Sequence, residues 1–320
     1  MPNLLKKYDL LVVGELNIDL ILNKIVSFPK IGTEILADEM SISLGSSSAI
    51  FASNISVLGI KTVFAGMIGE DEFGSLVLNS LQKKNVNTSF VKISKEHKTG
   101  ATIALNYSED RAMVTYPGAM QHFSLEDINN EVFESVRHLH LSSIFLQDNL
   151  KNEVIELFQK AKQYGLTTSL DLQWDPDEKW DIDFDKLLPL VDVFLPNKSE
   201  LFAITGIKDV KEALESLKDK CNTIAVKMSS EGSALYNNGN ISYYKPYLNT
   251  EVVDSIGAGD SFNAGFIHAL LNGYEADYCM DMGNLMGAIN TTASSGTGAF
   301  DSKETVKKRA AQFFNKQIDL

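Results

Sequence analysis

The densest chemistry in this 320-residue chain lies in one short stretch, Asp254-Ser255-Ile256-Gly257-Ala258-Gly259-Asp260-Ser261-Phe262. Two glycines flank an alanine, with a carboxylate on either side, and an apolar segment then runs through Phe266, Ile267, Ala269, Leu270 and Leu271. This is the pattern of a small-residue turn feeding a helix. The first N–H groups of a helix have no intrahelical partner and point outward, where they can bind an anion. Amides for a phosphate and a carboxylate, Asp260, for an incoming hydroxyl are the parts of a phosphoryl-transfer site. A plain helix entry, with Asp260 as a first-turn acid favoured by the helix dipole, accounts for the same residues. Either way the position predicts a low pKa for Asp260.

Other polar spacings carry less. Asn197-x-x-Glu200 follows a strand-like run and reads first as a capping box. Asn17 and Asp19 lie two apart at the end of the first strand-like run, so they share a face. Among Leu16, Ile18 and Leu20 such groups need partners, which makes them candidates to grip adjacent hydroxyls. His138 and His140 alternate along a strand without a third ligand, which reads as packing. No Ser-His-Asp or Cys-His constellation stands out.

The elements that must position these groups alternate. Leu10–Val13, Thr62–Ala65, His138–Ser142, Thr168–Leu172, Val193–Pro196 and Thr223–Lys227 read as buried strands. Helical periodicity falls between them at Ala49–Leu58, Gly74–Lys84, Glu153–Gln163 and Val210–Leu217. Such alternation implies βαβ units and a mostly parallel sheet covered on both faces. Ligands of such sheets sit outside the carboxyl ends of the strands, so Gly14, Asp171, Asn197 and Met228 should converge on one crevice. Ile35–Leu44 and the hairpin Thr99–Tyr107/Arg111–Tyr116, turning at Ser108–Asp110, break the alternation and should form a small sheet outside the main layer.

Composition narrows the partners. The chain is 44% hydrophobic and 22% charged, with a net charge of −13, so a nucleic-acid partner is not expected. No run is long enough to span a bilayer and no signal-peptide pattern opens the chain. Cys221 and Cys279 lie in no metal spacing and read as reduced thiols of a cytoplasmic protein. The only arginines are Arg111, Arg137 and Arg309. A substrate carrying its own phosphate or carboxylate usually meets an Arg clamp, so a neutral polyhydroxylated substrate is expected, with Arg111 alone in a plausible substrate region.

Asp254–Phe262 resembles the C-terminal signature of the ribokinase-like, phosphofructokinase-B type carbohydrate kinases. The resemblance covers nearly the whole chain through Gly14–Asp19, Gly45 leading into Ala49–Gly59, Gly66–Gly74, Pro196–Glu200 and Val226–Gly232. It implies a single three-layer α/β/α domain over residues 1–320, with a small antiparallel β lid from segments about 17–45 and 97–120. It implies an ATP- and Mg²⁺-dependent kinase acting on a hydroxyl of a sugar or polyol, paired as a homodimer through the lid. A nucleoside kinase, with Phe51, Tyr107 or Phe145 against a base, and a non-catalytic sugar sensor are the rivals. By resemblance Asp260 is the base, and Gly257, Ala258 and Gly259 meet the transferred phosphoryl group. Asn17, Asp19, Gly45, Ser46 and Arg111 face the substrate. Asn197, Lys227, Ser229, Gly232, Gly287 and Asn290 face the nucleotide, and Glu200 holds Mg²⁺ through water. Asp254 and Ser255 resemble a monovalent-cation site, for K⁺. The chain departs from the family at Ser46 and Ser229, where Gly is usual, and at Ile50 and Met120, where Asn is usual or frequent.

Overall fold

A computed structural model describes residues 6–107 and 111–320; the expected turn at Ser108–Asp110 and the side chain of Arg111 lie outside the described part. The chain opens with β1 (Leu10–Val13), β2 (Asn17–Asn23), β3 (Glu39–Leu44), α1 (Ser47–Val57), β4 (Thr62–Gly69), α2 (Glu72–Lys83) and β5 (Asn87–Ser94). It continues with β6 (Gly100–Asn106), β7 (Arg111–Tyr116), α3 (Asn130–Ser135), β8 (His138–Ser142), α4 (Asp148–Asn152), α5 (Val154–Gln163) and β9 (Thr167–Asp171). After α6 (Phe184–Leu187) come β10 (Val193–Phe194), α7 (Lys198–Thr205), α8 (Val210–Ser216), β11 (Thr223–Lys227), β12 (Ser233–Asn237) and β13 (Asn240–Tyr244). Three helices close the chain: α9 (Ala258–Leu271), α10 (Ala276–Asn290) and α11 (Lys303–Phe314).

Among the described residues the main sheet has nine strands in the order β13-β12-β11-β10-β9-β8-β1-β4-β5. From β5 to β11 all neighbours run parallel, and β12 and β13 add an antiparallel edge. That edge hairpin was not foreseen. Alternation along each strand splits the core into two faces. Leu10 and Val12 pack with Phe51, Phe64, Phe266 and Met286 under α1, α9 and α10. Leu11 and Val13 pack with Phe133, Phe158 and Leu201 under α3, α5 and α7. The four β1 residues are wholly buried, as expected of a strand covered on both faces. The α9–α10 contact is close because residue 265 is Gly: a Cβ there would lie 2.4 Å from the Met282 carbonyl oxygen.

The second sheet has four strands, β3-β2-β6-β7. Its outer pairs are antiparallel, but the central pair β2–β6 is parallel. Asn17 and Asp19 belong here, on β2, and not at the end of the first strand as the sequence reading had them; Gly14–Leu16 carries the chain across. The register makes the sheet two-faced. Asp19 lies opposite Ser43 and Thr102, and Thr102 opposite Thr115. One residue along, Leu20 lies opposite Ile42 and Ile103, and Ile103 opposite Val114. A polar row and an apolar row therefore occupy opposite faces. Among the described residues no helix is long and apolar enough to cross a membrane.

Candidate active site

The carboxyl ends of β1, β9, β10 and β11 meet the N-termini of α1, α7 and α9. Gly257 precedes α9 in the left-handed region, φ 75°, and a Cβ on it would lie 2.6 Å from Gly296 Cα. A side chain is thus excluded twice, by conformation and by space. The Asp254 carboxylate pins the turn, accepting from Ile256 N–H at 2.9 Å and Ser295 N–H at 3.0 Å. Asn290 pins it from below. Its amide donates to the Ile256 carbonyl at 2.6 Å, and its oxygen accepts from Ser261 Oγ at 3.0 Å. Asn54 joins this network, donating to Ser261 Oγ and the Gly296 carbonyl, both at 2.9 Å. Asn290 is fully buried; its side chain is spent on the turn and does not reach the nucleotide path expected of it. Gly287 lies under the same turn, where a Cβ would be 3.1 Å from the Ala258 carbonyl. The Ala258 N–H is taken by Ser255 at 3.2 Å. Among the described residues nothing takes the N–H of Gly257 or Gly259, which leaves both available as donors at the helix start.

Asp260 lies in the first turn of α9 and is 5% exposed. Gln173 Nε2 donates to it at 3.1 Å, and also to Asp171 at 3.1 Å; Ser47, at the start of α1, lies near enough to lower its pKa slightly. The low pKa expected from the helix position is overturned. Burial holds the Asp260 carboxyl well above the usual range, and the Asp171 charge adds to this while Lys227 opposes it. Local sequence displays the dipole; the desolvation that outweighs it comes from tertiary packing. Gln173 holds its place with φ 59°, a strained conformation for a non-glycine residue.

Lys227, at the end of β11, was expected to reach the nucleotide. Its ammonium turns inward, 2.8 Å from Asp171 Oδ2 and 3.3 Å from Asn263 Oδ1. Asn263 donates to the same Asp171 oxygen. It follows Asp260 by three residues on α9, so one helix face presents both. Lys227 also runs beneath Gly259, whose Cβ would meet its Cδ at 3.7 Å. Asn197 and Glu200 form a complete capping box on α7. Asn197 N–H donates to Glu200 Oε2 and Glu200 N–H to Asn197 Oδ1, each at 2.9 Å. The Glu200 carboxyl is buried and lifted to about 7, first by burial and then by Asp171, with Lys227 opposing.

On the acceptor side Asn17 donates to Thr102 Oγ1 at 2.8 Å, while its own Oδ1 is buried without a partner. A Cβ on Gly45 would fall 2.3 Å from Asp19 Oδ1 and 2.8 Å from Asn17 Oδ1. Three of the expected substrate residues therefore converge on one polar cradle that only glycine leaves open. Ser46 does not join them. It caps α1 at φ 70°, which explains why Gly would suit the position. Its hydroxyl accepts from Ala49 N–H at 2.9 Å and donates to the Glu15 carbonyl at 2.6 Å. Ile50 forms the floor under the turn, with its Cδ1 2.4 Å from where a Gly296 Cβ would stand. Ser229, at φ 54°, also occupies a conformation that suits Gly, and Gly232 is held by the Tyr244 carbonyl, 2.0 Å from a Cβ at that position. Arg137 binds Asp9 at 2.9 Å and Arg309 binds Thr292 at 2.7 Å, both outside this cluster.

Sequence reasoning missed Glu15, Gln173, Asn54 and Asn263. The signal for Glu15 was present, a carboxylate between buried Val13 and Leu16. His138 and His140 do face one side, each bonded to Ser169 Oγ at 2.8 and 2.7 Å in a wholly buried chain that ends at Ser142.

Comparisons with known proteins bear on the family and the fold. The family model described as pfkB family carbohydrate kinase matches residues 7–303. A protein of Archaeoglobus fulgidus described as an uncharacterised sugar kinase is 30% identical over 73% of this chain and 92% of its own. The ribokinase of Haemophilus influenzae is 25% identical over 92% of this chain and 96% of its own. The structure of Arabidopsis thaliana ribokinase complexed with ribose and ATP superposes with a TM-score of 0.79 at 23% identity, covering 94% of this chain and 98% of that one. With its parallel sheet, two-faced small sheet and Gly257–Asp260 turn, the chain belongs to the pfkB family of carbohydrate kinases.

Proposed function

We propose that this kinase transfers the terminal phosphoryl group of ATP to a hydroxyl of a neutral sugar or polyol, with Asp260 as the base. One observation carries the reading: a buried carboxyl of raised basicity in the same helix-start turn as two amides without a protein partner. Raised basicity suits proton acceptance from an alcohol. Gln173 orients the carboxyl, and the Gly257 and Gly259 amides meet charge on the transferred group. Asn17, Asp19 and the threonine row of the small sheet receive the acceptor's hydroxyls, and that sheet excludes water from the reaction.

The nucleotide lies on the other side of the Gly257 turn, along Asn197, Ser229, Gly232 and Gly287. Magnesium neutralises charge on the nucleotide phosphates when bound. Among the described residues no group of three acidic, His or Cys side chains is set to hold a metal directly, and both Glu200 oxygens already bond Asn197. That donor set fits an ion that keeps its water shell, with Glu200 as the outer ligand. At Asp254 and Ser255, the residues that resemble a potassium site, each Asp254 oxygen accepts one amide and keeps a further lone pair for a cation.

Several features favour a neutral acceptor over an anion or a nucleoside. Glu15, Asp171, Asp260 and Glu200 crowd the site, and Lys227 is already committed to Asp171. Phe51 is fully buried and stacked on His140, and Phe145 packs edge-on against Trp180, so neither offers a free wall to a base. We place the enzyme in the cytoplasm, consistent with its buried free thiols. Two copies pair through the apolar row of the small sheet, where Ile42, Ile103 and Val114 are 44%, 43% and 65% exposed. Light scattering checks the pairing: a dimer that Ile103→Lys dissociates is expected, and a monomeric parent contradicts it. Turnover of ATP over a panel of sugars, polyols and nucleosides tests the main reading, with the fastest turnover expected for an uncharged sugar or polyol.

A further inference from the structure

Glu15 is a buried carboxyl that the reaction as described does not use. It follows β1, is 2% exposed, and has only hydroxyls and amides for partners. One oxygen bonds Ser48 Oγ, and the other accepts from Ser48 N–H at 3.4 Å. Its own carbonyl accepts from Ser46 Oγ at 2.6 Å. Gly14 is glycine to admit this grip: a Cβ there would fall 1.9 Å from Ser48 Oγ. Glu15 therefore holds the first turn of α1 from beneath, on both sides of Ser47. Two parts of the site adjoin that turn: Ser47 within it lies near Asp260, and Gly45, just ahead of the Ser46 cap, packs against Asn17 and Asp19.

We propose that Glu15 is a positioning residue of the kinase, whose buried carboxyl locks the start of α1 to the end of β1 and so sets Ser47 against Asp260 and Gly45 against the acceptor. The proposal rests on the reading of Asp260 as the base. The hydrogen bonds close when Glu15 is the neutral acid. Ser48 donates from Oγ to one Glu15 oxygen and from N–H to the other, and its Oγ also lies 3.3 Å from the Ser142 carbonyl; a proton on Glu15 would supply the first bond and free the single Ser48 O–H for that carbonyl. Burial, with no cation to oppose it, lifts the carboxyl to about 7, and when ionised its charge further raises Asp260. The other charged groups around Asp260 are Asp171 on β9 and Lys227 on β11. Asp19 faces Gly45 from β2, and His140 on β8 is kept neutral by burial.

The test compares Glu15→Gln, an isostere of the neutral acid, with Glu15→Ala. The probe is whichever of D-ribose, D-fructose, myo-inositol and adenosine gives the fastest ATP turnover with the parent. Glu15→Ala is expected to raise the acceptor KM about tenfold or more while the ATP KM stays within about twofold, and Glu15→Gln to restore the parental acceptor KM. The kcat/KM profile of Glu15→Gln should also lack one ionisation that the parent shows near neutral pH. If Glu15→Ala does not fold, Ser48→Ala breaks the same grip and should show the same KM split. Amide hydrogen exchange reads the positioning without activity: protection at Ser48–Ile50 should fall in Glu15→Ala and persist in Glu15→Gln. A Gln variant as impaired as Ala, an unchanged acceptor KM in Ala, or unaltered exchange overturns the proposal. A parent that turns over no ATP with any probe overturns the kinase reading instead, and the exchange experiment still decides the role of Glu15.

Discussion

Replacing Lys227 by Met should be the most damaging single change in the crevice, and the structure sets its size. Its ammonium is 2.8 Å from Asp171, with side-chain exposures of 11% for the lysine and none for the aspartate. Removing one partner of a buried ion pair strands the other, at a cost of about 3–5 kcal/mol. Here the stranded charge lies among other carboxyls, since Lys227 also opposes the upward shifts of Asp260 and Glu200. Urea unfolding of the parent, Lys227→Met, Asp171→Asn and the double variant forms a cycle. Lys227→Met should lose about 3 kcal/mol or more, and the double variant should recover at least about 1 kcal/mol relative to the sum of the singles, because no lone charge remains. Loss of Lys227 should also move the acid limb of activity to higher pH, because Asp260 then holds its proton more tightly. Single variants within about 1 kcal/mol of the parent, with strictly additive effects, would refute the claim that this pair neutralises the site.

Two further outcomes follow from buried acids. Glu15 ordinarily titrates near 4.5 and is lifted to about 7, so the folded state binds the extra proton between those values. Its contribution is complete below 4.5 and is lost as pH rises through about 7; at 1.36 kcal/mol per pH unit the interval of 2.5 amounts to about 3 kcal/mol. Melting temperatures measured from pH 4 to 8 should therefore fall less steeply for Glu15→Gln than for the parent, and parallel curves would count against a buried neutral acid. Glu200→Gln should raise the Mg²⁺ concentration needed for half-maximal turnover and leave the acceptor KM unchanged; superimposable Mg²⁺ titrations with reduced stability would leave Glu200 as a helix cap alone.

What could be read from sequence was what local pattern determines. The bounds of β1, β8 and β11 came directly from apolar runs, and the α9 entry from Gly257–Asp260. The small sheet was visible as segments out of alternation, although its parallel β2–β6 pair was not, because pairing partners as far apart in the chain as Asn17 and Gly100 leave no local trace. Asn17 and Asp19 were assigned to the wrong strand because Leu16 and Ile18 continue the apolar run across the break. Asn290 looked like a surface for the nucleotide because a small-residue helix face does not reveal which side is buried. The pKa of Asp260 was misjudged for the same reason: the helix dipole is a property of the segment, whereas desolvation belongs to everything packed around it.

The central claim is that Asp260 takes the proton of an acceptor alcohol while ATP lies on the other side of the Gly257 turn. Its most direct test is steady-state turnover and ATP affinity of Asp260→Asn, measured with the best acceptor of the panel and the phosphorylated product identified by mass. The account predicts a fall in kcat of at least about a hundredfold with ATP affinity little changed; a variant turning over at close to the parental rate would contradict it.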